Sequence, residues 1–130
     1  MRSETRFDSR LFGELMRSLL KDGIGVRFRA AGRSMYPAIA DGDTVEVTAM
    51  STAMSGEVVL TETADGLRVH RIVNTGTAVS TRGDCCVDHD GDSHPLGAVC
   101  VIKDQAARPV PRRHLGTIVR RWVARWRRRF

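Results

Sequence analysis

From Ile24 onward the apolar residues fall on every second position, in short runs. This period limits the possible folds more than any other feature of the chain. In IGVRFRA, Ile24, Val26 and Phe28 alternate with Gly25, Arg27 and Arg29, the pattern of a strand that buries one face. DTVEV (43–47), GEVVLTET (56–63), LRVHRIVN (67–74), TAVSTR (77–82) and AVCVIK (98–103) follow it. Each run is short and β-branched, and most are bounded by Gly, Asp or Pro, which interrupt strands. Ala64-Asp65-Gly66 reads as a hairpin turn between two of them.

The period changes at both ends. In SRLFGELMRSLLK (9–21), Leu11, Phe12, Leu15, Met16, Leu19 and Leu20 form one stripe of an amphipathic helix. Asp8 or Ser9 can cap its start and Gly23 can stop it. After Pro109-Val110-Pro111, residues Leu115, Ile118, Val119, Trp122, Val123, Trp126 and Phe130 share a second helical face, and arginines occupy most of the rest. The expected fold class is mainly β (α+β). An N-terminal helix in 1–23 precedes a small antiparallel β domain over 24–104. A proline-containing linker and basic C-terminal helix occupy 105–130.

The net charge of +6 belongs to that tail. Eight arginines lie in 112–129, and +6 minus 8 leaves −2 for the remainder. The tail therefore needs its own explanation. The aligned Trp122, Trp126 and Phe130 favour an anionic membrane surface, with packing on the domain as the plainer reading and nucleic acid phosphates less favoured. No apolar run reaches the roughly 18 residues of a membrane span. MRSETRFDSR lacks the apolar centre of a secretory signal. A cytoplasmic protein, peripheral at the membrane through its tail, is the expectation.

The sharpest local feature is GRSMYPAIADGD (32–43), where Ser34 sits in a turn between Gly32 and Pro37. A hydrolytic serine needs a rigid position, a base within reach of its hydroxyl and a donor for the oxyanion. The turn supplies rigidity. His70, in LRVHRIV, is the candidate base. Alternation puts Arg68, His70 and Ile72 on one strand face and Leu67, Val69, Arg71 and Val73 on the other, without saying which face carries a site. Asp84, Asp88 or Asp90 of TRGDCCVDHD can orient the imidazole. The bland alternatives are a turn serine, a solvated strand histidine and a solvated acidic loop.

The order of these pieces resembles a known family. SMYPAIADGDTVEV is similar to the nucleophile box of the signal peptidase I and LexA-like peptidase superfamily, where Ser-Met-x-Pro precedes Gly-Asp and a strand. GEVVL and VHRIV resemble its second and third boxes. In bacterial signal peptidases and LexA-type repressors the third-box base is a lysine. In the archaeal and endoplasmic-reticulum type it is a histidine. TRGDCCVDHD resembles that type's Thr-Lys-Gly-Asp-Asn-Asn box, with Cys85-Cys86 in place of the asparagines. The resemblance spans roughly residues 24–103 in order. It implies Ser34 as nucleophile with its backbone N–H as oxyanion donor, His70 as general base and Asp90 or Asp88 as orienter, leaving Asp84 structural.

The activity so implied is that of a serine endopeptidase of the signal-peptidase type, acting on a peptide or protein substrate with small residues at the cleavage site and using no cofactor. The alternative is a catalytically silent peptidase-like module that docks to a membrane or partner. Only about 23 residues precede the first strand, too few for the helices of a DNA-binding domain. Ala31-Gly32 resembles a self-cleavage bond of LexA-like proteins but lies too close to Ser34 to reach it.

Cys85, Cys86, His89 and His94 follow C-C-x2-H-x4-H. This lacks the C-x2-C knuckle of zinc sites, and adjacent cysteines chelate one ion poorly, so no metal is expected. Cys100 makes the cysteine count odd, which favours reduced thiols.

Overall fold

The structure is a computed structural model that describes residues 9–111. The basic helix expected in 112–130, with its proposed membrane contact, lies outside the described residues, as does Asp8. No helix among the described residues is long and apolar enough to cross a membrane.

Helix α1 spans Ser9–Lys21. Met16 and Leu20, one turn apart, are buried in the core, and Phe12 packs against it. The buried stripe is narrower than the sequence pattern suggests, because Leu11 and Leu15 are exposed. The helix stops where its glycine is. Gly23 adopts φ 76°, its N–H donates to the Leu20 carbonyl, and the Ile24 N–H donates to the Leu19 carbonyl. These are the paired bonds of a Schellman cap, which needs a left-handed residue at that position.

Seven strands among the described residues form one sheet. They are β1 Val26–Arg29, β2 Thr44–Thr48, β3 Val58–Thr63, β4 Gly66–Asn74, β5 Ser80–Arg82, β6 Ser93–Lys103 and β7 Ala106–Pro109. The order is β1-β2-β6-β3-β4-β5, with β7 added to β6, and every pairing is antiparallel. The inward residues Val45, Val47, Val58, Leu60, Val99 and Val101 meet Met16 and Leu20 of α1, together with Met35, Ile39 and Val110, in a single core.

Three elements differ from the sequence reading. Strand β5 covers only Ser80–Arg82 of the expected 77–82. Strand β6 begins at Ser93, ahead of the run AVCVIK (98–103) that reads as its strand. Pro95 and Gly97 hide it. The β3–β6 register shifts beside them, pairing Leu60 with Gly97 and Thr61 with Pro95, so that Leu96 is the extra residue of a bulge. A Cβ on Gly97 would lie 2.6 Å from the Thr48 carbonyl oxygen; only glycine lets β2 approach so closely. Strand β7 occupies part of the expected linker. It returns from β6 through Asp104 and Gln105, both at positive φ (52° and 65°), with Lys103 opposite Ala106. That is primed-turn geometry built without the Asn-Gly that usually announces it.

Candidate active site

Ser34 lies in the segment that joins β1 to β2, and local sequence fixes that segment. Its ends bond each other: the Ala30 N–H donates to the Asp43 carbonyl and the Gly42 N–H to the Ala30 carbonyl, each at 2.8 Å. Two aspartates fill the inside. Asp41 accepts from the Gly32 N–H at 2.8 Å and Asp43 accepts from the Ala40 N–H at 2.9 Å. Gly32 sits at φ 93°, where a side chain would be strained. Met35 and Ile39 are buried and linked by a helical-turn bond from Ile39 N–H to the Met35 carbonyl. Tyr36–Pro37 is cis. The serine is thus adjacent to a residue locked into the core, while its own side chain remains partly exposed.

His70 stands on β4 opposite Val59 of β3, and it is buried with 4% of its surface exposed. Its Nε2 lies 3.2 Å from Ser34 Oγ. Its Nδ1 lies 2.6 Å from Asp90 Oδ2. A carboxylate only accepts, so Nδ1 carries the proton and Nε2 is left bare to accept from the Ser34 hydroxyl. Of the candidate carboxylates, Asp90 is the one that meets the His70 ring. Asp88, the alternative, is exposed.

Asp90 is itself tied to β5. Its N–H donates to the Thr81 carbonyl at 2.9 Å, and the Thr81 hydroxyl donates to its Oδ2 at 2.7 Å. Thr81 Oγ1 also lies 2.8 Å from Ser93 Oγ, and Ser93 Oγ contacts Thr61 Oγ1. All three hydroxyl residues are buried. Sequence reasoning missed them, since Ser and Thr in strands look ordinary and their partners lie on other strands.

Next to His70, Arg71 is fully buried. Its Nε and Nη2 donate to Asp84 Oδ1 and Oδ2, both at 2.8 Å, and its Nη1 donates to the carbonyls of Gly56 and Pro111. The middle of β4 is buried on both faces, which a reading of half-buried strands does not anticipate. Asp84 anchors the following turn. There the Cys85 N–H donates to the Ser34 carbonyl at 2.8 Å, and the Cys85 thiol donates to the Tyr36 carbonyl at 2.9 Å. Gly83 completes the fit. A Cβ there would lie 2.7 Å from Cys86 Sγ, 2.9 Å from the Ser34 carbonyl oxygen and 3.0 Å from His70 Nε2, so a side chain would crowd the place where Ser34 and His70 meet.

The Ser34–His70–Asp90 row opens on a groove of about 750 Å³, whose wall includes the apolar Phe12, Phe28, Leu60 and Val69. An apolar groove with a few convergent polar groups is the usual form of a ligand site. Among the described residues, no group of three or more His, Cys, Asp and Glu side chains could hold a metal ion. His89 instead bonds Ser80, and His94 lies on β6 beside Glu62 of β3. Cys100, on β6, has its thiol pushed up from the ordinary value by burial and by the nearby Glu46 charge.

A family model described as Peptidase S24-like matches residues 14–81, just over half of the chain. No curated protein matches the sequence.

Proposed function

Since the chain belongs to the Peptidase S24-like family, of the LexA and signal peptidase I superfamily, we propose that it is a serine endopeptidase that uses histidine as its base, as the archaeal and endoplasmic-reticulum signal peptidases do. The observation that carries this reading is the unbroken row Ser34 Oγ, His70 Nε2, His70 Nδ1, Asp90 Oδ2, with contacts of 3.2 and 2.6 Å at its two ends.

Ser34 Oγ attacks the carbonyl carbon of a peptide held in the groove as His70 Nε2 takes the hydroxyl proton. Asp90 holds the Nδ1 proton and stabilises the imidazolium that forms. The Ser34 backbone N–H donates to the oxyanion. Imidazolium returns its proton to the leaving amine, and an acyl-enzyme remains. Water, deprotonated by the same imidazole, then releases the second product and restores Ser34. The buried Met35 and the bonds from Asp41 and Cys85 support the rigidity this sequence requires.

A fluorophosphonate probe tests the reading. Wild-type protein is expected to be labelled covalently at Ser34, and Ser34→Ala and His70→Ala to remain unlabelled. Equal labelling of wild type and Ser34→Ala, or none of either, would point to the silent binding module instead.

A further inference from the structure

We infer that Thr81 is a positioning residue for the site, acting through Asp90, and that Ser93 and Thr61 complete a one-way chain of hydroxyl protons ending on that carboxylate. The inference rests on the peptidase reading above and extends it to groups that touch neither substrate nor Ser34.

The direction of the chain follows from counting protons. Three contacts join four groups: Thr61 to Ser93, Ser93 to Thr81, and Thr81 to Asp90. Three hydroxyls offer one proton each, and the carboxylate offers none. Every contact is a hydrogen bond only if Thr81 donates to Asp90, Ser93 to Thr81 and Thr61 to Ser93. Any reversal leaves one hydroxyl donating twice.

Chance burial explains this poorly. Thr61 and Thr81 are 0% exposed and Ser93 is 7% exposed, and they come from β3, β5 and β6. Valine fills the volume of threonine in a strand without needing a partner, so a buried threonine side chain requires a hydrogen-bonding reason. The chain meets Asp90 at Oδ2, the same oxygen that receives the His70 Nδ1 proton. With the Asp90 N–H on the Thr81 carbonyl, Thr81 holds both the backbone and the carboxylate. Two donors, His70 Nδ1 and Thr81 Oγ1, thus converge on the one oxygen Oδ2. Each donor in the row polarises the next, which strengthens the terminal bond in a water-poor setting.

The test needs no substrate. The fluorophosphonate inactivation rate constant and its apparent affinity are measured separately, together with the proton spectrum of the His70 Nδ1–H. Thr81→Val is expected to lower the rate constant about tenfold, as losses of supporting hydrogen bonds to site residues do, with affinity unchanged. The Nδ1–H signal should broaden by exchange with water. Thr81→Ser, which keeps the hydroxyl, should restore both. Ser93→Ala should show a smaller loss in the same direction. In an Asp90→Asn background, Thr81→Val should add nothing further.

Three results overturn the proposal: an unchanged rate constant in Thr81→Val, equal losses in Thr81→Val and Thr81→Ser, or additivity with Asp90→Asn. If wild type and Ser34→Ala are labelled alike, the peptidase reading has failed. The proton spectrum then decides alone, and an Nδ1–H signal that survives Thr81→Val overturns the positioning role.

Discussion

Two neighbouring residues of β4 each hold an aspartate, in opposite settings. His70 meets Asp90 at the wall of an open groove. Arg71 meets Asp84 with both partners almost wholly enclosed, at 0% and 1% side-chain exposure. Arginine stays charged at any working pH, so a sealed arginine–carboxylate pair can only brace. Histidine changes charge near neutrality, so the same contact beside an opening can pass a proton. Adjacent positions on a strand point to opposite faces, so the proposed chemistry falls on one face and the sealed pair on the other. The brace is nonetheless connected to Ser34, because the turn that Asp84 anchors supplies the Cys85 N–H to the Ser34 carbonyl.

Substitutions separate the two pairs, beginning with the largest effect. Asp90→Asn should cut the fluorophosphonate rate by about 10²–10⁴-fold, because an amide can leave the imidazole in the wrong tautomer. Its thermal unfolding midpoint should stay close to that of wild type. A large drop in midpoint would mean that the His70 pair braces as well. Asp84→Ala should do the reverse. Leaving Arg71 buried without its counter-ion costs about 3–5 kcal/mol, read as a lower denaturant midpoint, while the protein that remains folded still labels. Loss of labelling with stability intact would erase the distinction. Glu46→Gln sets the scale. It breaks the cross-strand Arg27–Glu46 pair, 2.6 Å long with Arg27 largely exposed, and should cost less than about 1 kcal/mol in the same denaturation experiment.

What the sequence made legible follows the range of the forces involved. Strand period and helix stop depend on neighbours in the chain, so β1 to β4, α1 and Gly23 could be read directly. Ser34 and His70 could be nominated because their surroundings carry a recognisable order of residues. Which carboxylate meets His70 depends on the path of a loop, held by the bond from the Asp90 N–H to the Thr81 carbonyl. Alternation could not reveal the burial of Arg71, since that depends on Asp84 and on carbonyls of Gly56 and Pro111 that are distant in the chain. The start of β6 was obscured by a bulge and a proline. Strand β7 was obscured by a turn whose residues, Asp104 and Gln105, seldom take positive φ.

The mutual bonds of Ala30 with Gly42 and Asp43 make residues 30–43 a clasp. Both ends leave the sheet at one point, so the segment joins β1 and β2 through a single closed neck. The segment is therefore portable. Another antiparallel pair with the same gap between its ends, and a core pocket for Met35 and Ile39, could carry Ser34 in the same setting.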